Sequence, residues 1–209
     1  MGDEDQVGGI RPTKRLYMYR GHPSVGPLPA HPPPADVEMR WLTRTEEEVA
    51  ASLLRRPEEV VSRRFADGGR CLVMQRRDTG ELVYHLWMST APTWTDWIGA
   101  VVAPLAGHVL VFDLWAHPDW RRGRLHLAGT AAVARRLEEL GLDGMVAGVE
   151  EHEIVPYARM YARAGLGFIM PYEVILWHRD GERSWHDRAQ PEADLVERCG
   201  EIRRRYEEP

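Results

Sequence analysis

The chain has 209 residues, of which 44% are hydrophobic, and a formal net charge of -5 at pH 7. It is long enough to bury one sizeable core, and its charge argues against a generally basic nucleic-acid-binding surface. Every basic residue except Lys14 is arginine, so local clusters could still bind phosphate bidentately. Cys71 and Cys199 are too few for a disulfide framework or a metal-finger spacing. No stretch approaches the roughly 20 apolar residues of a membrane span. We expect a soluble, cytoplasmic protein with free thiols, no metal and no membrane partner.

The first 34 residues predict a flexible extension. Residues 1–13 are polar and contain glycine, and residues 21–34 include six prolines, a composition typical of extended or disordered chain. Between these segments, residues 16–19 predict an edge strand. The rest predicts a folded domain over 35–180 and a helical extension over 181–209, with a surface helix at 191–206.

Residues 37–90 predict a strand at 37–42, two helices and a β-hairpin. Thr45 and Glu48 have the spacing of a capping box for a helix through residue 54, and Pro57 can open a second helix that ends at Gly68. Two β-rich arms, 70–76 and 82–90, flank an Asp-Thr-Gly turn. Residues 91–107 predict an irregular loop that could cover a substrate site.

A strand, an arginine-rich turn and a helix follow. The strand at 108–116 is strongly apolar, the turn runs from Arg121 to Arg124, and the helix at 125–140 ends at Gly141. A strand at 144–149, a helix at 156–164 and a long strand at 168–178 complete the pattern. A turn between a strand and a helix N-terminus collects N–H groups that can hold a phosphate. The order therefore indicates a donor substrate that carries a nucleotide.

These residues resemble the GCN5-related N-acetyltransferase (GNAT) superfamily, whose signature, Arg/Gln-x-x-Gly-x-Gly/Ala, follows its fourth strand. Arg121 keeps the first position, whereas Arg124 and His126 occupy the two positions that the family gives to small residues, and Gly123 lies one place early. Tyr161 stands where the family has a later tyrosine. The match extends in chain order through residues 16–19, 84–89 and 172–177.

The resemblance implies an α/β fold with a mixed, mostly antiparallel sheet that is splayed between the family's strands four and five and flanked by helices. It also implies a donor, most simply acetyl-CoA or another acyl-CoA, whose pantetheine lies along strand four and whose pyrophosphate meets the turn amides. The implied pantetheine residues are Leu114, Trp115 and Ala116. The implied pyrophosphate residues are Arg121, Arg122, Gly123, Arg124, Leu125 and His126.

The resemblance also suggests the groups that carry chemistry. Tyr161 matches the tyrosine that protonates the departing thiolate, and its alternative role is a packed helical residue. Amine acylation also needs a base or a water path. Asp113 on strand four is either that base or a buried hydrogen-bond acceptor. Glu150, His152 and His117 are further candidates for the base, with solvated loop positions as the alternative.

Aromatic residues with one carboxylate indicate a wall for the acceptor amine, because such walls suit a cationic or heterocyclic amine. The candidates are Trp87, Trp94, Asp96 and Trp97, and His152 is a further candidate for contact with the substrate. Core packing is the alternative for Trp87, and surface anchoring is the alternative for the loop tryptophans.

Three functions follow from this reading. The first is an acyltransferase that forms an amide between an acyl-CoA donor and a small-molecule amine. The second is a GNAT-like transferase of natural-product biosynthesis whose donor is aminoacyl-tRNA or a carrier protein, with tRNA or that carrier as partner. The third is a non-catalytic binding module on the same fold. The oligomeric state stays open, a homodimer included.

Overall fold

The computed structural model describes residues 12–23, 30–95, 100–104, 106–121, 124–150, 154–164, 166–179 and 182–189. The strands are β1 (Pro12–Pro23), β2 (Val37–Leu42), β3 (Arg70–Arg76), β4 (Leu82–Ser89), β5 (Thr93–Thr95), β6 (Ala100–Val102), β7 (His108–Ala116), β8 (Gly144–Glu150), β9 (Leu166–Arg179) and β10 (Glu182–Ala189). The helices are α1 (Glu47–Leu54), α2 (Glu58–Ala66), α3 (Arg124–Leu140) and α4 (Ile154–Arg163). Short 3-10 turns at Arg44–Glu46 and Pro118–Trp120 precede α1 and α3.

The main sheet confirms the predicted α/β architecture. Its strand order is β10-β9-β1-β8-β7-β4-β3-β2, and every neighbouring pair is antiparallel except β7 and β8. The parallel pairing of β7 with β8 covers His108–Leu110 against Gly144–Val146. Both strands then continue, to Ala116 and Glu150, beyond that paired stretch. The sheet is therefore splayed between these two strands, as the resemblance predicts.

Two buried clusters cover the two faces of the sheet, as the period-two alternation of side chains requires. On one face, α3 contributes Leu125, Ala128 and Leu137 to a cluster with Leu86 and Val111 of the sheet. On the other face, the helices α1 and α2 pack on Val73, Trp87, Leu110 and Phe112. Neighbouring residues of a strand point to opposite faces, so Leu110 and Phe112 face α1 and α2 while Val109 and Val111 face α3.

The structure corrects the prediction for residues 16–19. They belong to β1, which lies inside the sheet because Leu16 pairs with Glu150 of β8 on one side and with Val174 of β9 on the other. A short aromatic run predicts that a strand forms, but the pairing partners lie more than 100 residues away in the sequence and leave no local signal.

Three other predictions change in detail. The loop at 91–107 contains the hairpin of β5 and β6, whose Thr-Trp-Thr and Ala-Val-Val segments have the β-branched residues that favour strands. Residues 182–189 of the predicted helical extension form the edge strand β10, while the helix predicted at 191–206 lies outside the described residues. The capping box lies two residues earlier than predicted: Glu46 accepts hydrogen bonds from the Thr43 backbone N–H and hydroxyl at 2.9 and 2.8 Å. In the described part of the chain, no helix combines the length and apolar character that crossing a membrane needs.

Candidate active site

The candidate site begins at a bulge in β7. The register with β4 pairs His85 with Trp115 but Trp87 with Phe112, so two residues of β7, Asp113 and Leu114, lie opposite one residue of β4. Asp113 has a φ of 45°, the left-handed conformation that a β-bulge can require and that aspartate tolerates better than most residues. The bulge restarts the alternation of the strand, so that Asp113 joins Phe112 on the α1–α2 face.

Two arginines from the helical layer meet the Asp113 carboxylate. Arg64 of α2 donates from Nη1 to Oδ2 at 2.5 Å, and Arg56, in the connection between α1 and α2, donates from Nη2 to Oδ1 at 3.0 Å. The Arg64 side chain is only 5% exposed, and its guanidinium also lies 5.2 Å from the ring centroid of Trp87. These contacts fasten the α1–α2 connection to the bulged strand.

The ion pairs bear on the two roles predicted for Asp113. Burial acts to raise the pKa of its carboxyl, but the charge and hydrogen bond of Arg64, with the charges of His85 and Arg56, more than offset burial and lower that pKa. A carboxylate held by two guanidinium groups and with a lowered pKa is a weak proton acceptor at neutral pH. The geometry therefore favours the buried-acceptor role over the role of general base.

His85 lies beside Asp113 on the same face of the sheet. It is 5% exposed and its ring stacks on that of Trp115 at a centroid separation of 5.8 Å and an interplanar angle of 20°. Burial is the main cause that lowers the pKa of His85 to about 4, with Asp113 acting in the opposite direction. The imidazole is therefore neutral at pH 7, and within the described residues neither ring nitrogen has a hydrogen-bond partner.

A cleft of about 820 Å³ opens over these groups. We call it the α1–β7 cleft, because the end of α1 and the arginines after it form one wall and the bulged end of β7 forms another. The turn between β3 and β4 closes a third side. Its lining includes Leu53, Arg55, Arg56, Glu81, Leu82, His85, Asp113, Leu114, Trp115 and His117.

The donor is predicted to lie along the end of β7 and at the start of α3. Leu114 and Ala116 pack against the α3-side core, and the exposed Arg121 donates from Nε to the Ala116 carbonyl oxygen at 3.2 Å. The helix α3 begins at Arg124, whose side chain is exposed. Its first N–H groups have no intrahelical acceptor, as at every helix N-terminus.

The side chain of His126 turns away from that helix end. Its ring packs edge-on against Tyr84 and Tyr157, with centroid separations of 6.1 and 5.1 Å, and its Nε2 is buried. Burial lowers the pKa of His126 to about 4. The His126 side chain thus packs between the sheet and α4. Only the backbone N–H of His126 remains a candidate hydrogen-bond donor to a phosphate.

Trp87 and Trp94, the two described residues of the predicted acceptor wall, do not line the α1–β7 cleft. Trp87 is fully buried between Phe65 and Phe112, so its assignment to substrate binding is wrong and the packing alternative holds. Trp94 is 49% exposed on β5 and is not part of the cleft lining. Trp87 is buried because side chains of a strand alternate between its two faces, and the face of Trp87 is covered by α1 and α2.

The remaining predicted site residues stay predictions. Tyr161 lies on α4 and Glu150 ends β8, but the structure describes neither side chain. Residues outside the described chain are Asp96, Trp97, Arg122, Gly123 and His152. Among the described residues no cluster of three or more metal-ligating side chains is found.

Sequence reasoning missed His85, Arg56 and Arg64 as site residues. A signal for His85 existed, since it interrupts an otherwise apolar run of strand residues from Leu82 to Met88, where an unpaired polar residue is unusual. No local sequence signal pointed to Arg56 and Arg64, because they lie 57 and 49 residues from Asp113 in the sequence.

The chain has the GNAT fold. The structure of a GCN5-related N-acetyltransferase from Sphaerobacter thermophilus superposes with a TM-score of 0.59 and 17% sequence identity, over 84% of this chain and 53% of that one. The chain thus spans about half the length of that protein. No protein-family model matches the sequence, and no curated protein matches it.

Two further solved structures are more distant. An aminoglycoside acetyltransferase from an uncultured soil metagenomic sample gives a TM-score of 0.46 and 12% identity, over 63% of this chain and 88% of that one. A ribosomal-protein-alanine N-acetyltransferase from Brucella melitensis gives a TM-score of 0.39 and 19% identity, over 53% of this chain and 78% of that one. Scores this low carry no information about the substrate of this chain.

Proposed function

We propose that the protein is an N-acyltransferase that moves an acyl group, most simply acetyl from acetyl-CoA, to the amine of a small molecule. The single observation that supports this best is the position of the α1–β7 cleft. It lies against the bulged end of β7, the part of the strand that runs beyond its pairing with β8. An acceptor in the cleft would therefore lie next to the strand along which the donor is expected.

The reaction forms one bond and breaks another. The amine nitrogen attacks the thioester carbonyl carbon, the tetrahedral intermediate collapses with cleavage of the carbon–sulfur bond, and an amide and a thiol result. The donor would lie along Leu114, Trp115 and Ala116, with its pyrophosphate at the N-terminus of α3. The hydroxyl of Tyr161 would protonate the leaving thiolate.

The cleft fits an acceptor of small-molecule size. Its volume of about 820 Å³ falls within the roughly 300–1,000 Å³ that is usual for small-ligand sites. Its walls combine the aromatic face of Trp115 with the charged groups of Arg55 and Glu81, so apolar and polar parts of one ligand could both find partners. The two Asp113 ion pairs would hold the wall rigid while the ligand binds.

A donor carried by tRNA or by a carrier protein is the alternative. Arg121 and Arg124 support it, because both are exposed at the expected phosphate position. Binding of a nucleic acid there would weaken steeply with salt, whereas CoA, with fewer phosphates, would depend on salt much less.

Calorimetric titration with acetyl-CoA and CoA at low and moderate salt tests the donor. We expect micromolar binding that Arg124→Glu weakens at least about tenfold, since the variant places a negative charge beside the phosphates. Glu139→Gln, at the other end of α3, is the control and should bind as the wild type does. Absence of binding to either ligand would contradict the CoA donor, and titration with tRNA and with a carrier protein would then decide between the alternative donor and a non-catalytic module.

A further inference from the structure

His85 is a buried polar residue whose hydrogen-bonding groups the fold leaves unused. Buried polar side chains almost always find a partner, because a buried group without one has lost its hydrogen bonds to water and gained none in return. Neither ring nitrogen of His85 has a partner within the described residues, and the residue is 5% exposed. The residue contributes to the lining of the α1–β7 cleft. An unpaired imidazole that lines a cleft indicates a ligand that supplies the missing partner.

The surroundings fix the ring rather than satisfy it. Stacking on Trp115 restrains the plane of the imidazole, and Trp115 is also its cross-strand partner on β7. The charged and titratable groups around it are those of Asp113, Arg56 and Arg64 at the ion-pair cluster, and those of His117 and Glu81 along the cleft. Both carboxylate oxygens of Asp113 already have an arginine partner, whereas neither ring nitrogen of His85 has a partner within the described residues.

We propose that His85 hydrogen-bonds the acyl-accepting amine in the α1–β7 cleft and takes the proton that the nitrogen loses as the amide forms. This inference rests on the proposed N-acyltransferase function and names a catalytic residue for it. The unprotonated ring nitrogen accepts a hydrogen bond from an N–H of the neutral amine and orients its lone pair toward the thioester. The other ring nitrogen carries a proton and can donate to a second polar group of the same ligand.

The step balances without a further reactant. Attack forms the carbon–nitrogen bond and leaves a positive charge on the nitrogen, which makes that nitrogen far more acidic than the free ammonium ion. Its proton moves to the ring nitrogen of His85, the carbon–sulfur bond breaks, and the thiolate is protonated by a second group. The imidazolium then returns its proton to water once the product leaves.

Two substitutions separate a chemical role from a packing role. His85→Phe keeps a flat ring against Trp115 and removes both nitrogens, and His85→Gln keeps a donor and an acceptor but no basic nitrogen. We expect His85→Phe to lower kcat/KM for acetyl transfer by about 100-fold or more, the usual size of a general-base effect. His85→Gln should preserve KM better than kcat. His108→Phe, a buried histidine on β7 outside the cleft, is the matched control and should keep its activity.

The thermal stability of His85→Phe should not fall together with its activity. Because His85→Phe removes two unpaired buried polar atoms, its unfolding midpoint should equal or exceed that of the wild type. If His85 serves only to pack against its neighbours, His85→Phe should instead transfer acetyl at the wild-type rate. Wild-type transfer with an undiminished kcat/KM in His85→Phe would overturn the inference and leave the proposed function standing. Absence of transfer by the wild type from acetyl-CoA to a panel of primary amines would overturn both.

A spectroscopic readout remains if a variant folds poorly. The ring-nitrogen resonances of wild-type protein labelled with ¹⁵N should show a neutral His85 at pH 7, and they should shift when the best amine of the panel is added. An amine that is acetylated but leaves these resonances unmoved would overturn the inference.

Discussion

Replacement of Asp113 by asparagine tests the ion-pair cluster that holds the cleft wall. Asparagine keeps the shape of the side chain and also tolerates a positive φ, so Asp113→Asn changes charge with little effect on the bulge. The side chains of Asp113 and Arg64 are 19% and 5% exposed, and removal of one partner from such a buried pair costs about 3–5 kcal/mol. Arg56 adds less, since its side chain is 36% exposed and solvent screens its charge.

The assay is thermal and urea unfolding of the wild type and the variant. At about 2–4 °C per kcal/mol for a chain of this size, the loss corresponds to a fall of roughly 6–20 °C in Tm. Asp78→Asn is the matched control. Asp78 pairs with Arg76 at 2.6 Å, but the Asp78 side chain is 62% exposed. The Tm of this variant should therefore equal that of the wild type.

The pH dependence has a definite sign. The pKa of Asp113 is lowered in the folded chain from its ordinary value of 3.8. Its stabilising contribution is therefore complete above that ordinary value and is lost as the pH falls through the folded pKa. The stability difference between wild type and Asp113→Asn should shrink below about pH 4. A variant as stable as the wild type at pH 7 would refute the reasoning.

Three further outcomes are expected. Gly129→Ala places a Cβ 2.7 Å from the ring of Tyr84 and should lower the free energy of unfolding by about 1–3 kcal/mol in urea titrations. In a Cys199→Ser background, Cys71 should react with iodoacetamide only as the chain unfolds, since burial raises the pKa of its thiol; rapid alkylation of folded protein would contradict this. Thr43→Ala removes the hydroxyl that donates to Glu46 but keeps the backbone N–H bond of the capping box, and it should lower the free energy of unfolding by about 1 kcal/mol, measured by Tm.

Much of the fold could be predicted because its elements carry local signals. Capping residues, turn residues and apolar periodicity placed α1, α2, α3 and the hairpin of β3 and β4 close to their observed bounds. The resemblance then supplied the strand arrangement that local patterns lack. The internal position of β1 could not be predicted, because it depends on pairing with strands that lie far along the chain.

The site was harder to predict because it depends on one backbone irregularity. A continuous apolar strand gives no sign of a bulge, yet the bulge decides that Asp113 faces the helical layer and meets Arg56 and Arg64. The same layer buries Trp87 and leaves His85 at the cleft. Aromatic composition alone therefore selected the wrong residue of β4.

The most direct test of the account is detection of the product. Purified protein is incubated with acetyl-CoA and a panel of primary amines, and the amides are identified by mass spectrometry while the release of free thiol is followed. The account predicts an acetylated amine formed with one equivalent of thiol, at a rate that falls sharply in His85→Phe. Protein that binds neither acetyl-CoA nor tRNA-linked and carrier-linked donors, and forms no amide, would contradict the proposal that this fold acts as an acyltransferase.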